Sequence, residues 1–375
     1  MRVLFTCGGT AGHINPAVGV AGRIRELIPD AEILFIGAEG RMETELVPRE
    51  GFEIRTLQVM NLSREKSLNG LSHNLKAASQ LVAALREAKQ IIREFAPDVA
   101  VGTGGYVCYP VLKQAASLGI PTALHESNAV PGLTTKMLEK DADRIMVGFE
   151  DSREHYSHPE RVVVTGTPVR AGFRNHDRAE ARRKLGIPDD RPLVLSVWGS
   201  LGADHMNEIM TDFIQLVCRK PAFKLIHVSG KRGYEKMLER LNAEGAGDFA
   251  EKGVDVREYV YDMPDVMTAA DLVMCRSGAS TLSELAALGK PAILVPSPNV
   301  TNNHQEKNAR VLERAGAAKV LLEGEFRAES LLGTVSELLG RPETLAAMEQ
   351  ASAALVTGDP TERITDMVLE LANKN

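Results

Sequence analysis

Arg276-Ser277-Gly278-Ala279-Ser280-Thr281-Leu282-Ser283-Glu284 follows the apolar run Leu272–Met274 and leads to Gly289-Lys290-Pro291. It reads as a strand, a glycine turn and a helix whose first turn carries hydroxyls and one carboxylate. A second apolar strand, Ala292–Val295, and the polar stretch His304-Gln305-Glu306-Lys307-Asn308-Ala309 come next. A strand that enters a helix through small residues aims free N–H groups and the positive dipole end at a phosphate. Glu284, one turn further in, has the two acceptor oxygens that vicinal ribose hydroxyls need. The competing reading is an ordinary βα unit whose glutamate is solvated.

Working outward, short apolar runs alternate with helical patterns along the whole chain, which predicts parallel sheets covered by helices. Seven strands fall between Val3 and Val164, and six between Leu193 and Leu321. The longest helix is predicted over Leu68–Phe95, with Leu71, Leu75, Leu81, Val82, Leu85, Ile91 and Ile92 as its apolar stripe. The chain has 375 residues, more than one ordinary core holds. Gly166-Thr167-Pro168-Val169-Arg170-Ala171-Gly172 reads as a hinge. The expected domains are residues 1–165 and 166–358. At the end, Asp359-Pro360-Thr361-Glu362 carries a cap, a proline at N1 and an acid at N3. The helix it starts, within 359–375, is expected to pack back on the first domain.

Composition excludes several classes. Hydrophobic residues make up 44% and charged residues 25%, as in a globular protein, and the net charge of −6 argues against a nucleic-acid partner. The four cysteines lie far apart with no C-x-x-C pair, so buried free thiols in a reducing cytoplasm are expected. Met1 leads into a strand without a signal-peptide core, and no run reaches the roughly 18 apolar residues of a membrane span.

Three more glycine turns follow strands. Gly8-Gly9-Thr10-Ala11-Gly12-His13 is not the dinucleotide fingerprint G-x-G-x-x-G. It offers amides at a sheet edge and one histidine at a helix start, where the dipole favours a neutral, proton-accepting imidazole; the alternative is a histidine that only packs the turn. Gly102-Thr103-Gly104-Gly105-Tyr106 and the strand end His125-Glu126-Ser127-Asn128 gather polar groups where open α/β sheets bind ligands. In Trp198-Gly199-Ser200-Leu201-Gly202-Ala203, Ser200 and its neighbouring amides are placed to hold a diphosphate. Asp141-Ala142-Asp143 has the D-x-D form of metal-dependent sugar transferases but sits between a helix and a strand. No zinc spacing, G-x-S-x-G or Walker motif occurs. No metal and no cofactor is called for. A departing diphosphate is then left to helix dipoles and a basic residue, for which Arg170 in the hinge is the candidate.

Taken together, these motifs, with Gly166-Thr167-Pro168-Val169-Arg170 and His304-Gln305 with Asn308-Ala309, run in order from end to end. In this the chain resembles the MurG family of inverting, metal-independent N-acetylglucosaminyltransferases, in glycosyltransferase family 28 with the GT-B architecture. The resemblance implies an α/β fold of two Rossmann-like domains whose parallel sheets face across a cleft. It implies an N-terminal domain facing acceptor and membrane and a C-terminal domain holding UDP-N-acetylglucosamine. The acceptor it implies is undecaprenyl-diphospho-muramoyl-pentapeptide (lipid I), and the product it implies is lipid II of peptidoglycan synthesis. By matched position, Ser200, Ala279, Ser280, Thr281, Leu282, Ser283, Glu284 and Gln305 contact the donor, with Glu284 on the ribose and the Val260 backbone on the uracil. Thr10, Ala11, Gly12, Asn128 and Arg170 also lie on the donor path. His13 is the implied base for the acceptor C4 hydroxyl, and Gly104, Gly105, Tyr106 and Glu126 face the acceptor. The family also implies a peripheral protein on the cytoplasmic face of the membrane, associated with other cell-wall synthesis proteins.

The chain departs from the family pattern at Ala11, usually glycine, where a positive φ would cost roughly 1 kcal/mol or more. Ser127, Trp198, Leu201 and Cys108-Tyr109 also differ. Around Met60–Phe95, Leu62, Leu68, Leu71 and Leu75 mix with Arg64, Lys66, Lys76, Arg86, Lys89 and Arg93, a composition suited to an anionic leaflet or to an ordinary charged helix face. Two rivals remain: a UDP-N-acetylglucosamine 2-epimerase-like enzyme, which shares the two-lobed architecture, and a non-catalytic sugar-nucleotide-binding protein.

Overall fold

A computed structural model describes residues 1–60, 68–173, 177–187, 191–199, 203–243, 248–356 and 358–373. They form two compact units, Met1–Ala171 with Thr357–Asn375, and Gly172–Val356. Leu62, Arg64 and Lys66 lie outside the described residues, as do Ser200, Leu201 and Gly202.

The first unit runs β1 (Arg2–Thr6), α1 (Ala11–Leu27), β2 (Glu32–Ala38), α2 (Glu43–Arg49), β3 (Glu53–Leu57), α3 (Leu68–Phe95), β4 (Val99–Gly102), α4 (Cys108–Ser117), β5 (Thr122–Glu126), α5 (Leu133–Leu138), β6 (Arg144–Val147) and β7 (Val162–Val164). Its seven strands are parallel in the order β3-β2-β1-β4-β5-β6-β7. Such strands are buried on both faces and therefore read as continuous apolar runs; Val3, Leu4, Phe5, Val99, Ala100 and Val101 are buried. Phe5 stacks on Phe35 at 5.2 Å between ring centroids.

The second unit runs α6 (Arg178–Lys184), β8 (Leu193–Val197), α7 (Asp204–Arg219), β9 (Lys224–Val228), α8 (Tyr234–Ala243), β10 (Val254–Arg257), α9 (Met263–Ala269), β11 (Leu272–Cys275), α10 (Ala279–Ala287), β12 (Ala292–Leu294), α11 (His304–Arg314), β13 (Ala318–Val320), α12 (Ala328–Leu339) and α13 (Pro342–Ala354). Its six strands are parallel in the order β10-β9-β8-β11-β12-β13. The last helix, α14 (Pro360–Ala372), belongs to the first unit and buries Ile364, Val368 and Leu371 in the same cluster as Val20 and Ile24 of α1. Asp359 caps it by accepting the Thr361 N–H at 2.8 Å.

Strand order reverses between β1 and β4 in one sheet and between β8 and β11 in the other. Adjacent strands there send their connections to opposite faces, which opens a crevice at their carboxyl ends. All four glycine turns leave these four strands.

Two expectations need correction. Of the stripe predicted for α3, Ile91 and Ile92 are buried and Leu81 and Leu85 half-buried, whereas Val82 is 50% exposed; the side chains of Leu68, Leu71 and Leu75 lie outside the described residues. Ala11 opens α1 and is not among the positive-φ residues, so its methyl carries no backbone strain. Among the described residues no helix is long and apolar enough to cross a membrane.

Candidate active site: two glycine cradles

In the first unit the turns after β1 and β4 interlock. Gly8 N–H donates to the Gly104 carbonyl at 3.1 Å, and Thr103 N–H to the Thr6 carbonyl at 3.1 Å. The Thr103 hydroxyl reaches the His13 carbonyl at 2.6 Å, and the Cys108 thiol donates to the Gly104 carbonyl at 3.0 Å. Gly105, at φ +90°, packs so closely that a Cβ would lie 2.4 Å from the Gly8 oxygen. Only glycine fits that approach.

His13 sits in the first turn of α1, half-buried against this cradle. Its Nδ1 is 2.9 Å from the Gly8 carbonyl oxygen. A carbonyl can only accept, so Nδ1 carries the proton and Nε2 keeps its lone pair. The Thr10 hydroxyl lies 3.4 Å from the same Nδ1. Thr10 is the exposed N-cap of α1 and makes no side-chain capping bond. The first turn of α1 closes on the Thr10 carbonyl, from His13 N–H at 3.0 Å and Ile14 N–H at 3.2 Å. The N–H groups of Ala11 and Gly12 precede these bonds. The amide of Gly9 is not open to a ligand: it donates to Glu43 Oε2 at 3.0 Å.

Glu126 and Asn128 are brought together. Glu126 Oε1 accepts from Asn128 N and Nδ2 at 3.0 and 2.9 Å, and Oε2 from Gly132 N and the Thr135 hydroxyl at 3.0 and 2.8 Å. The carboxylate thus closes the loop between β5 and α5. His125 is buried and its Nε2 is 3.1 Å from the Gly166 carbonyl. Burial lowers its pKa, partly opposed by that bond and by Glu126. Ser127 is buried with its hydroxyl 3.4 Å from His125 Nδ1. Tyr106 packs on the core beside β4, its buried hydroxyl without a hydrogen-bond partner among the described residues. Arg170 is exposed at the end of the first unit.

In the second unit the decisive stretch forms β11, a turn and α10. Gly278 is the N-cap, with no side-chain cap and no acid in the first turn. The first intrahelical bond runs from Leu282 N–H to the Gly278 carbonyl at 3.0 Å. The N–H groups of Ala279, Ser280 and Thr281 therefore project from the helix start, as an anion site requires. The Ser280 hydroxyl is buried without a partner among the described residues, and Ser283 turns its hydroxyl back to the Ala279 carbonyl at 2.9 Å. Leu282 is buried, and Glu284 is 8% exposed.

Gln305 joins this turn from α11. Its carbonyl accepts the Ser277 hydroxyl at 2.8 Å, and its Oε1 accepts Ser297 N–H at 2.9 Å, leaving the side-chain NH2 as its donor end. Two left-handed residues, Asn302 and Asn303, precede α11, a conformation asparagine tolerates better than most. Val260 is buried between Tyr259 and the 86% exposed Tyr261, whose rings stack edge to face at 4.8 Å. Trp198 is buried, with the Arg276 guanidinium 5.9 Å over its ring. Arg276 also pairs with Glu323 and donates to the Val295 carbonyl.

Asp141 pairs with Lys113 at 2.8 Å and Asp143 accepts the Thr122 N–H at 2.8 Å, so both acids of the D-x-D serve the sheet edge. All four cysteines are free, and Cys7, Cys108 and Cys275 are buried. Sequence reasoning missed Glu43 and gave Thr103 and Cys108 no role of their own. Glu43 gave no signal beyond an acid near the start of a short helix, and its partners are 34 and 5 residues away.

Comparison with known proteins identifies the family. Residues 3–147 match the glycosyltransferase family 28 N-terminal domain and residues 193–364 the glycosyltransferase family 28 C-terminal domain. The UDP-N-acetylglucosamine--N-acetylmuramyl-(pentapeptide) pyrophosphoryl-undecaprenol N-acetylglucosamine transferase of Acetivibrio thermocellus is 42% identical over 99% of this chain and 98% of its own. The enzyme of the same name from Desulforudis audaxviator is 43% identical over 100% and 99%. The crystal structure of Acinetobacter baumannii MurG aligns with TM-score 0.77 at 25% identity, over 98% of this chain and 99% of that one. A UDP-GlcNAc 2-epimerase from Neisseria meningitidis shares the fold, with TM-score 0.63 at 14% identity and full coverage of both chains. The two cradles, their motifs and these matches place the chain in glycosyltransferase family 28, among its MurG-type members.

Proposed function

We propose that this protein transfers N-acetylglucosamine from UDP-N-acetylglucosamine to the C4 hydroxyl of undecaprenyl-diphospho-muramoyl-pentapeptide, forming lipid II with inversion at the anomeric carbon. It is an N-acetylglucosaminyltransferase of peptidoglycan synthesis. The observation that carries the mechanism is the bond from His13 Nδ1 to the Gly8 carbonyl, which reserves Nε2 as a proton acceptor.

In this reading the second unit holds the donor. The N–H groups of Ala279, Ser280 and Thr281 and the dipole of α10 meet the diphosphate, with Ser200 as a further contact. Glu284 accepts the ribose hydroxyls, the Val260 backbone reads the uracil, and the Gln305 NH2 reaches a polar group of the donor. Arg170 and the α1 amides of Ala11 and Gly12, with Thr10 and Asn128, add donors that stabilise the leaving UDP. His13 Nε2 takes the proton as the acceptor C4 oxygen attacks C1 and the bond to the diphosphate breaks. Gly104, Gly105, Tyr106 and Glu126 shape the acceptor side, Glu126 by holding the loop that carries Asn128. The proposed domains are residues 1–165 with 359–375 for the acceptor and 166–358 for the donor. The lipid acceptor sets the address: the cytoplasmic face of the membrane, with peripheral attachment and other cell-wall enzymes alongside.

The epimerase reading needs acids poised at the sugar ring. Glu43, a carboxylate that reaches the first cradle, is instead committed to two backbone amides. Incubation of purified protein with radiolabelled UDP-N-acetylglucosamine and a lipid I analogue decides between the readings. Label in the lipid fraction is expected, whereas free epimer without lipid product overturns the proposal.

A further inference from the structure

Glu43, the first residue of α2, is fully buried. It makes no ion pair among the described residues, and its two carboxylate oxygens each accept one backbone N–H, Oε1 from Ala38 at 2.9 Å and Oε2 from Gly9 at 3.0 Å. A buried carboxylate without a cation is costly, so its retention asks for a reason. The bond to Ala38, at the end of β2, explains one oxygen as a corner fastener. The bond to Gly9 does something else.

Gly9 N–H and the Gly8 carbonyl are the two ends of one peptide group. Glu43 accepts at the nitrogen end, while His13 Nδ1 donates to the oxygen end. We propose that Glu43 is a positioning residue for His13, acting through the Gly8–Gly9 peptide: it fixes the plane of that peptide and polarises its carbonyl toward the imidazole. The arrangement is a carboxylate–histidine pair with one amide interposed. Hydrogen bonds in a chain polarise one another, so an anionic acceptor at the N–H makes the carbonyl a stronger acceptor. That holds Nδ1 protonated and places a negative charge behind the ring when Nε2 takes the acceptor proton.

The surroundings concentrate this effect on Glu43. A Cβ on Gly8 would lie 2.7 Å from Glu43 Oε1, and one on Gly37 2.6 Å from its Cγ, so both glycines make room for the side chain. The neighbouring thiols are held neutral. Burial keeps the Cys7 thiol well above its usual range and pushes Cys108 up to about 12, and it lowers His125.

The inference rests on the transferase reading but has a readout that needs no turnover. In protein labelled with 15N-histidine, the His13 signal is assigned by its loss in His13→Ala among the nine histidines. Wild-type protein in mildly alkaline buffer is expected to show Nδ1 as the protonated nitrogen and, when labelled with 15N-glycine instead, a Gly9 amide proton shifted far downfield. Both readings are made on the wild-type protein, with His13→Ala serving only to assign the ring signal. Glu43→Gln, close in shape but uncharged, is expected to let the two neutral tautomers of His13 interconvert and to lower kcat roughly tenfold or more, with KM for UDP-N-acetylglucosamine little changed. In a His13→Ala background the same substitution is expected to have no further effect on turnover. Protonated Nε2 in the wild type, or an equal loss in both backgrounds, overturns the inference. Absence of lipid product from the wild-type enzyme overturns instead the transferase reading on which it rests.

Discussion

Gly104 packs directly against the His13 ring: a Cβ built on Gly104 would fall 2.5 Å from His13 Cδ2, 2.9 Å from Nε2 and 3.0 Å from Cγ. Gly104 also holds φ at +118°, a conformation that costs other residues about 1–3 kcal/mol. The glycine after β4 is therefore a seat for the ring. Gly104→Ala is predicted to displace the imidazole and lower kcat roughly 100-fold, because misplacing a reacting group by about 1 Å costs that much. A companion binding measurement should find affinity for UDP-N-acetylglucosamine unchanged.

Glu284 sits in α10, behind the open amides of that helix. Glu284→Gln replaces two charged acceptor oxygens by one neutral oxygen and a donor NH2, and is predicted to raise KM for the donor roughly 10- to 100-fold, for a loss of about 1.5–3 kcal/mol. A donor lacking the ribose 2′-hydroxyl should bind the wild type more weakly but bind the Gln variant about as well as the natural donor does. Equal penalties in both proteins would remove Glu284 from the ribose.

Both sheets and their strand order rest on features visible in the chain, because parallel strands buried on two faces leave apolar runs of three to seven residues. The turn at Arg276–Gly278 was equally legible, since a strand, small residues and a helix start are contiguous. The first cradle was not. Gly8, Thr103, Gly104 and Cys108 meet because β1 and β4 are neighbours at the point where strand order reverses, Glu43 reaches them from the start of α2, and no local pattern announces a carboxylate that bonds an amide 34 residues away. Val82 misled for a related reason: an apolar residue at helical spacing declares a face, and packing decides how wide that face is.

Lys290, from the Gly289-Lys290-Pro291 turn, is buried and donates to the Thr268 and Ala270 carbonyls at 2.6 and 2.9 Å. Burial first, and the nearby Arg178 second, pull its pKa down to about 8 from 10.5. Between those values the unfolded chain binds a proton that the native protein has released. This group's contribution to stability therefore rises with pH across that window. Denaturant unfolding of wild type and Lys290→Met at a series of pH values is predicted to show the wild type gaining stability relative to the variant from about pH 8 to 10.5. A constant difference would contradict the assignment.

Asp359→Ala removes the cap of α14, whose apolar stripe completes the core under α1. The expected cost is about 1 kcal/mol, seen as a Tm lower by roughly 2–4 °C. Donor affinity should not change.

The central claim is that His13 accepts the acceptor's proton while other residues hold the donor. Calorimetric titration of UDP-N-acetylglucosamine and a lipid I turnover assay, run side by side on wild type and His13→Ala, test it most directly. The account predicts an unchanged Kd and turnover reduced roughly 100- to 10,000-fold. A variant that turns over at the wild-type rate would contradict it.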